Sequence, residues 1–557
     1  MVVFSFEQTS VRVERSPALS RLSVGPVRSS VTMSVYETTK TPGHFRVAGK
    51  EFPNIRWWQK KNLRNTYMLL SLAILTSATN GYDGSMVNGL LSLNQFTEYM
   101  HNPSGSIKGL FSSIMSLGSF VALPAIPYIA DGLGRRWGIC IGSIIMILAV
   151  VLQSASINFQ MFVAARFFLG FGVAIAHGSA PLLITELCHP QHRAIFTTIY
   201  NTTWYFGSIV AAWLTYGTNN IGSEWAWRIP SIVQALPSIL QICCVWLVPE
   251  SPRWYISKGQ NEKALSVLAH VHAEGDADDE VVQLEYEEIR ETIAIEKEAE
   301  QTGWLEIFKT KGNRHRLVIL ISAGFFSQFS GNGLVSYYIS GVLDTIGITD
   351  PDMQLKINGV LNIWNCLVAV TMCFFVDKIG RRPLFLVSTA GMCMSFVIWT
   401  ILSERFEATH VKANGSAVVF MIFLYYTFYN IAWSGLLVGY TVEILPYSIR
   451  AKAMCYMFGC VDLALFFNTY INPVALDAIR WKYYIVYCVW LAVELVVVYF
   501  FYIETKNTPL EEIARHFDGD AALVGGNAAT EKGRILEHEI HEREKTAAVT
   551  EERVGSI

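Results

Sequence analysis

The chain has 557 residues, of which 52% are hydrophobic and only 16% charged, and its formal net charge is -3. Soluble proteins carry about 25% charged residues, and here the apolar residues come in blocks of about twenty, the length that spans a bilayer. No basic patch interleaves with aromatics, which excludes a nucleic-acid binder, and the ten cysteines sit in or beside apolar runs, which argues against a disulfide framework or a zinc site.

Residues 1–62 are rich in Ser, Val and Arg, with Pro17, Pro26 and Pro42, and show no signal-peptide pattern. They read as a disordered cytoplasmic tail, with Met33 left open as the start. Twelve apolar segments follow, near 66–91, 108–130, 137–156, 159–182, 195–217, 228–248, 315–342, 355–376, 383–403, 416–442, 451–473 and 481–503. They group into two six-helix bundles, 63–248 and 315–503, separated by a charged stretch, 249–314, whose part 279–300 has helical spacing. A charged tail, 504–557, ends the chain. The expected fold is an all-α membrane protein of twelve transmembrane helices with a helical linker between its bundles.

Lys and Arg in the connecting loops set the orientation. Arg135 and Arg136 follow segment two, Lys378, Arg381 and Arg382 follow segment eight, and Arg450 and Lys452 follow segment ten. These loops, both termini and the linker are therefore expected in the cytoplasm. An internal repeat is also visible: Asp131-Gly132-Leu133-Gly134-Arg135-Arg136 recurs as Asp377-Lys378-Ile379-Gly380-Arg381-Arg382, and Glu186 with Arg193 recurs as Glu443 with Arg450. Such duplication places a solute site between the halves near the midplane. The Arg pairs are suited to bind carboxylates and helix C-termini across the cytoplasmic ends, in one state of a carrier and not in the other.

Within segment one, Asp83 lies in Gly81-Tyr82-Asp83-Gly84. An ionised carboxylate at this depth costs roughly 2.5–3.5 kcal/mol, so it is rarely left without a partner or a task. Arg166 of segment four is the expected partner, and protonation of Asp83 is expected to weaken that pairing. Asp462, Glu494 and His177 are the other ionisable groups in apolar segments, and a structural role is favoured for each.

Several apolar segments also carry amide and hydroxyl side chains beside aromatic rings, the donors and platforms a polar solute would need. Gln328 and Asn332 are spaced i, i+4 in segment seven, as are Tyr429 and Trp433 in segment ten. Asn358, Asn362 and Asn365 share a face in segment eight, and Asn201 lies in segment five. Single amides in membrane helices often only hold helices together; the set together suggests a polar cavity.

The two Asp-x-x-Gly-Arg-Arg loops, Pro249-Glu250-Ser251-Pro252-Arg253-Trp254, Glu443-Ile444-Leu445-Pro446 with Arg450, and Glu504-Thr505-Lys506, in this order, resemble the sugar porter family of the major facilitator superfamily from about residue 60 to 515. Gly81-Tyr82-Asp83-Gly84, Trp225-Ala226-Trp227-Arg228-Ile229-Pro230 and Ser330-Gly331-Asn332-Gly333-Leu334 look like the fungal lactose permease and cellodextrin transporter group. The resemblance implies a proton-coupling Asp83 with Arg166, and a cytoplasmic charge relay that includes Glu250 and Arg253. It also implies sugar contacts at Asn201 and Asn365. Ser327 stands where the family has a first Gln, and Val438 where hexose carriers have a Trp, which leaves room for a larger solute such as a β-linked disaccharide.

The function expected is therefore sugar:proton symport by alternating access in the plasma membrane, as a monomer and without a cofactor. A sugar sensor with little flux and a proton-independent facilitative carrier are the alternatives. A membrane enzyme is rejected, because no catalytic triad, metal-ligand cluster or paired glycosidase carboxylates appears in a loop.

Overall fold

The computed structural model describes residues 44–47, 50–300, 304–373, 375, 379–506, 508, 513 and 516–518. It divides into two compact units, Met1–Asn54 and Ile55–Ile557. In the first, β1 (His44–Val47) pairs antiparallel with β2 (Lys50–Pro53), with Phe45 opposite Phe52. The tail expected to lack structure thus holds a short hairpin, its aromatic pair 5.8 Å apart between ring centroids; the expected tail before residue 44 lies outside the described residues.

The second unit is helical. It begins with α1 (Lys61–Leu91), α2 (Asn94–Tyr99), α3 (Gly105–Ala122), α4 (Ala125–Gly132), α5 (Arg135–Ser154) and α6 (Phe159–Leu187). Next come α7 (Arg193–Thr218), α8 (Trp225–Val233) and α9 (Ala235–Cys244). Four helices, α10 (Pro252–Ser257), α11 (Asn261–His272), α12 (Glu280–Glu300) and α13 (Glu306–Lys309), occupy the charged stretch. The chain continues as α14 (Lys311–Phe329), α15 (Asn332–Asp344), α16 (Pro351–Cys373) and α17 (Arg381–Thr409). It closes with α18 (Lys412–Ala432), α19 (Leu437–Ile444), α20 (Tyr447–Ile479) and α21 (Tyr483–Phe501).

Among the described residues, eight helices are long and apolar enough to cross a membrane, or nine if α3 and α4, bent by 55°, count as one span. One of the eight, Lys452–Phe501, has 50 residues; at about 1.5 Å each that is roughly 75 Å, more than twice the bilayer core. Arg480, at φ 45°, interrupts it, so it makes two spans. Of the long helices outside the charged stretch, α1 and α7 fall short in apolarity. They carry Asn80, Asp83 and Asn88 and a run of Thr, Tyr and Asn residues, and they pack on each other. Asp83 and Asn88 of α1 and Ser208 and Thr215 of α7 are buried against protein, which relaxes the need for an all-round apolar surface. The twelve-span arrangement follows.

Proline breaks the sixth span. Pro237 has no N–H to donate to the carbonyl of Val233, and the sixth span changes from α8 to α9 at Gln234. Buried apolar residues from Ile307 to Phe517 form one large core, while those from Leu63 to Val271 are split among smaller clusters. A further cluster joins Tyr82, Met86 and Leu90 of α1 to Tyr338 of α15 and Leu355 of α16. Gly109 backs onto the Tyr470 carbonyl, where a Cβ would stand 2.6 Å away, so α3 and α20 touch through backbone. These contacts between halves lie at the end away from the Gly-Arg-Arg loops. A cavity of about 370 Å³ opens there, lined by Asn94, Lys108, Tyr338, Asp344, Gln354 and Asp477 among others.

Candidate functional site

Asp83 is placed by close packing. A Cβ on Gly81 would stand 1.9 Å from the Trp204 carbonyl oxygen, and one on Gly207 1.8 Å from that of Ala78, so α1 and α7 meet backbone to backbone. Tyr82 donates to the Pro230 carbonyl at 2.8 Å and ties α1 to α8. Asp83, between these contacts, has no solvent exposure.

The partner of its carboxylate differs from the expected one. Gln234 Nε2 donates to Asp83 Oδ1 at 2.5 Å, and Gln153 Nε2 in turn donates to Gln234 Oε1 at 3.1 Å. Arg166 reaches the Asp83 backbone carbonyl instead, at 3.4 Å, and gives its Nε to the Phe111 carbonyl, also at 3.4 Å. No ion pair joins the two side chains among the described residues. The physical reason is that Arg166 is occupied by carbonyls, while the Pro237 break brings Gln234 to the carboxylate. Asp83 Oδ2 is buried without a hydrogen-bond partner. Gln153 and Gln234, amides inside apolar segments, were the signal in the sequence that went unused.

A second polar group spans the halves. Asn88 Nδ2 donates to Asn358 Oδ1 at 3.3 Å and Ser208 Oγ to Asn362 Oδ1 at 2.6 Å. Tyr205 donates to Asn430 Oδ1 at 2.6 Å, and Asn430 Nδ2 donates to Asn365 Oδ1 at 3.1 Å. Asn365 thus joins the network from its buried side. Asn88, Tyr205, Ser208 and Asn430 were missed in the sequence because their roles depend on which helices face each other.

Beside the break between α14 and α15, Asn332 Nδ2 donates to the Tyr429 hydroxyl at 3.1 Å, and Tyr429 donates to the Ser327 carbonyl at 2.9 Å. Asn332 Oδ1 is buried without a partner. Gln328 is half-buried; its carbonyl accepts from Asn468, and its own amide reaches only Ser327 Oγ, at 3.4 Å. Asn201 is exposed on α7. Trp433 departs from expectation. It is 1% exposed, donates to Thr389 Oγ1 at 3.1 Å and packs on Phe326 and Phe385, so it is part of the core and not a sugar platform. It caps the C-terminus of α18, still helical and bonded through its N–H to the Tyr429 carbonyl at 3.1 Å, but its ring turns into the core.

At the end of the bundle that carries the Gly-Arg-Arg loops, a carboxylate sits on each helix N-terminus. Glu250 accepts the backbone N–H groups of Arg135 and Arg136, each at 3.2 Å, and Glu504 accepts those of Arg381 and Arg382 at 2.9 and 3.1 Å. Gly134 (φ 116°) and Gly380 (φ 111°) permit the turn, and a Cβ there would press on the carboxylates at 2.5 and 2.8 Å. Arg135 also holds Glu186 through two bonds, 3.0 and 3.2 Å, and Asp131 at 3.1 Å. Arg381 pairs with Glu443 at 3.0 Å. Arg136 and Arg382 donate to the Trp246 and Tyr499 carbonyls.

These bonds stay within each half, and not across the ends as expected, because each loop turns onto the helix that follows it. Arg193 does not pair with Glu186; it binds Glu285 of α12 at 3.0 Å, and His272 of α11 binds the same carboxylate at 2.7 Å. Burial would raise the Glu285 carboxyl, but the His272 ring and the Arg193 guanidinium outweigh it and hold the group down to about 2. Arg450 donates to the Leu445 carbonyl at 3.0 Å, and Arg253 is half-buried in α10. Asp377 lies outside the described residues. Glu504 was named in the sequence only as part of a motif, and its place as the counterpart of Glu250 comes from the fold.

Comparison with known proteins agrees with this architecture. The sugar (and other) transporter family model matches residues 69–517. The MFS-type transporter oryC of Aspergillus oryzae is 31% identical, covering 86% of this chain and 91% of that protein. The MFS glucose transporter mfs1 of Aspergillus flavus is 28% identical, covering 86% and 95%. Among solved structures, the inward-open xylose transporter XylE from E. coli superposes with a TM-score of 0.68 at 21% identity, over 81% of this chain and all (100%) of that one. This chain belongs to the sugar (and other) transporter family of the major facilitator superfamily, and is a multi-pass membrane transporter and not an enzyme.

Proposed function

We propose that the chain is a sugar:proton symporter in which Asp83 carries the coupled proton and the solute is a β-linked disaccharide. The observation that carries the coupling is the state of Asp83: fully buried, bonded by Gln234 on one oxygen and left without a partner on the other. Oδ2 is where the proton binds. Its arrival removes a charge from the membrane interior, and Gln234 serves either state because its amide donates to Oδ1 in both. Arg166, fixed by the Phe111 and Asp83 carbonyls, supplies a nearby positive charge that keeps the ionised form accessible.

Sugar binds between the halves at Gln328, Asn332, Asn365 and Tyr429, with Asn201 facing it from the first half. Asn332 Oδ1, buried and unbonded, is an acceptor for a sugar hydroxyl. The disaccharide reading rests on the resemblance of the segments around Gly81, Trp225 and Ser330 to the lactose permease and cellodextrin group, and on Val438 in place of a bulky Trp. Asp131, Arg135, Arg136, Glu186 and Glu250, with Arg253 and Arg193, form one cytoplasmic lock; Arg381, Arg382, Glu443 and Arg450 form the other, to which the repeated motif adds Asp377 by sequence alone. The two bundles rock about the site, and the proton gradient with the membrane potential drives the cycle at about 2.3 kcal/mol per charge per 100 mV. The Lys and Arg of these loops support a cytoplasmic side for the locks, both termini and α10–α13; the carrier works as a monomer in the plasma membrane.

Asp83→Asn is the test. In sealed vesicles the variant should exchange labelled sugar at equal concentrations on both sides and fail to accumulate it when a pH gradient is imposed. Accumulation with proton inflow in that variant would remove Asp83 from the coupling role. Competition by glucose, lactose and cellobiose reads the solute class separately, and inhibition by glucose alone would replace the disaccharide.

A further inference from the structure

The seventh span breaks at Ser330 and Gly331, between α14 and α15. A Cβ on Gly331 would stand 2.6 Å from the Phe396 ring, so the break is packed directly against α17. Tyr425 of α18 donates to the Ser330 carbonyl at 2.9 Å and holds it from one side. On the other side lies Glu494 of α21, a carboxyl with no solvent exposure.

Three oxygens surround the Ser330 hydroxyl. The two Glu494 oxygens stand 3.0 and 2.9 Å from Oγ, and the Phe326 carbonyl is also within hydrogen-bonding reach, closer than either. A serine hydroxyl has one hydrogen and two lone pairs, and a carbonyl only accepts. Phe326, one helical turn back, is the nearest acceptor, and a hydrogen given to its carbonyl is not available to Glu494. An ionised Glu494 would then press its lone pairs against those of Ser330 with no hydrogen between them.

A proton on Glu494 resolves the count. Glu494 O–H donates to Ser330 Oγ, and Ser330 O–H donates to the Phe326 carbonyl. No cation opposes this assignment, since no ion pair reaches Glu494 among the described residues. The titratable groups that face it are the Cys393 thiol of α17, the Tyr425 phenol of α18, and Tyr487 and Tyr502 on or just after its own helix; Trp490 is its polar neighbour. All are neutral, and an ionised carboxylate among neutral groups inside a membrane is strongly disfavoured.

We propose that Glu494 is a second proton-binding site, occupied in this state, whose proton clasps the broken seventh span at Ser330. The site is separate from Asp83: it lies in the other half and shares no partner with it. It stands whether or not Asp83 couples transport.

Infrared difference spectra of the purified full-length protein, wild type against Glu494→Gln at neutral pH, test the protonation. The expected difference is the carbonyl stretch of a protonated carboxylic acid, present in wild type and missing in the variant. A carboxylate pair of bands in its place overturns the proposal. Hydrogen exchange of the amides at 328–334 tests the clasp. After correction for intrinsic exchange, raising the pH until that band disappears should speed exchange in wild type by at least about tenfold, the ratio worth one pKa unit. Glu494→Gln, which keeps an N–H donor in place, should not respond. Equal responses in the two proteins would overturn the clasp.

Discussion

The two halves of the molecule repeat one device at Gly134 and Gly380 and then part company in the membrane. At both loops a glycine turns the chain, two arginines begin a helix, and a distant glutamate, Glu250 or Glu504, accepts the first two N–H groups. Inside, the first half buries Asp83 against the Gln153–Gln234 amide chain, and the second buries Glu494 against Ser330. A helix N-terminus offers the same unsatisfied donors wherever it occurs, so both copies keep the same answer. The interior answers to whatever each half binds, and nothing requires those answers to match.

The largest expected effect probes the ends. The Arg135 and Arg381 side chains are similarly buried, 8% and 12% exposed, but Glu186, which Arg135 holds, is 12% exposed and Glu443, which Arg381 holds, is 24% exposed. Removing one partner of a buried pair costs about 3–5 kcal/mol. Arg135→Ala should therefore lower the melting temperature in detergent well below that of Arg381→Ala, because water reaches Glu443 more readily. Equal losses would mean that the two ends are energetically as alike as they are geometrically.

Helix packing comes next. Gly81→Ala drives a methyl into the Trp204 carbonyl at 1.9 Å, backbone against backbone, while Gly324→Ala meets Cys460 Cβ and the Met457 carbonyl at 3.0 Å. Overpacking of the first kind costs about 1–3 kcal/mol. Alanine favours a helix over glycine by roughly 1 kcal/mol at both sites, which offsets the milder contact of the second variant and not the backbone clash of the first. Thermal unfolding should show the first variant destabilised and the second near wild type.

The smallest effect falls on sugar affinity. Gln328→Ala leaves a sugar hydroxyl unpaired at about 1–3 kcal/mol, a rise of roughly five- to a hundredfold in the half-saturating concentration. Accumulation driven by a pH gradient should persist in that variant at high sugar, which separates the roles of the two interiors. Trp433→Phe should leave half-saturation unchanged, as its ring belongs to the core. A large shift there would restore Trp433 as a sugar platform.

The sequence by itself determined the twelve spans, the duplication and the family, because bilayer length, loop charge and a repeated motif are properties of residues close together in the chain. The polar character of α1 and α7 was passed over, because both stretches counted as apolar segments of spanning length and their shortfall appears only against the other spans. Only the tertiary structure decided the partners. Asp83 and Arg166 read as an ion pair because they were the charges at hand, yet Pro237 breaks the sixth span where Gln234 can reach the carboxylate. Arg193 lay seven residues from Glu186 and went to Glu285, 92 positions away. Glu504 and Glu250 became equivalents only when both were seen on helix N-termini. Hydrogen bonds in a membrane interior are chosen by which helix faces which, and that choice is settled by backbone contacts such as Gly81 against Trp204, not by the spacing of the polar residues themselves.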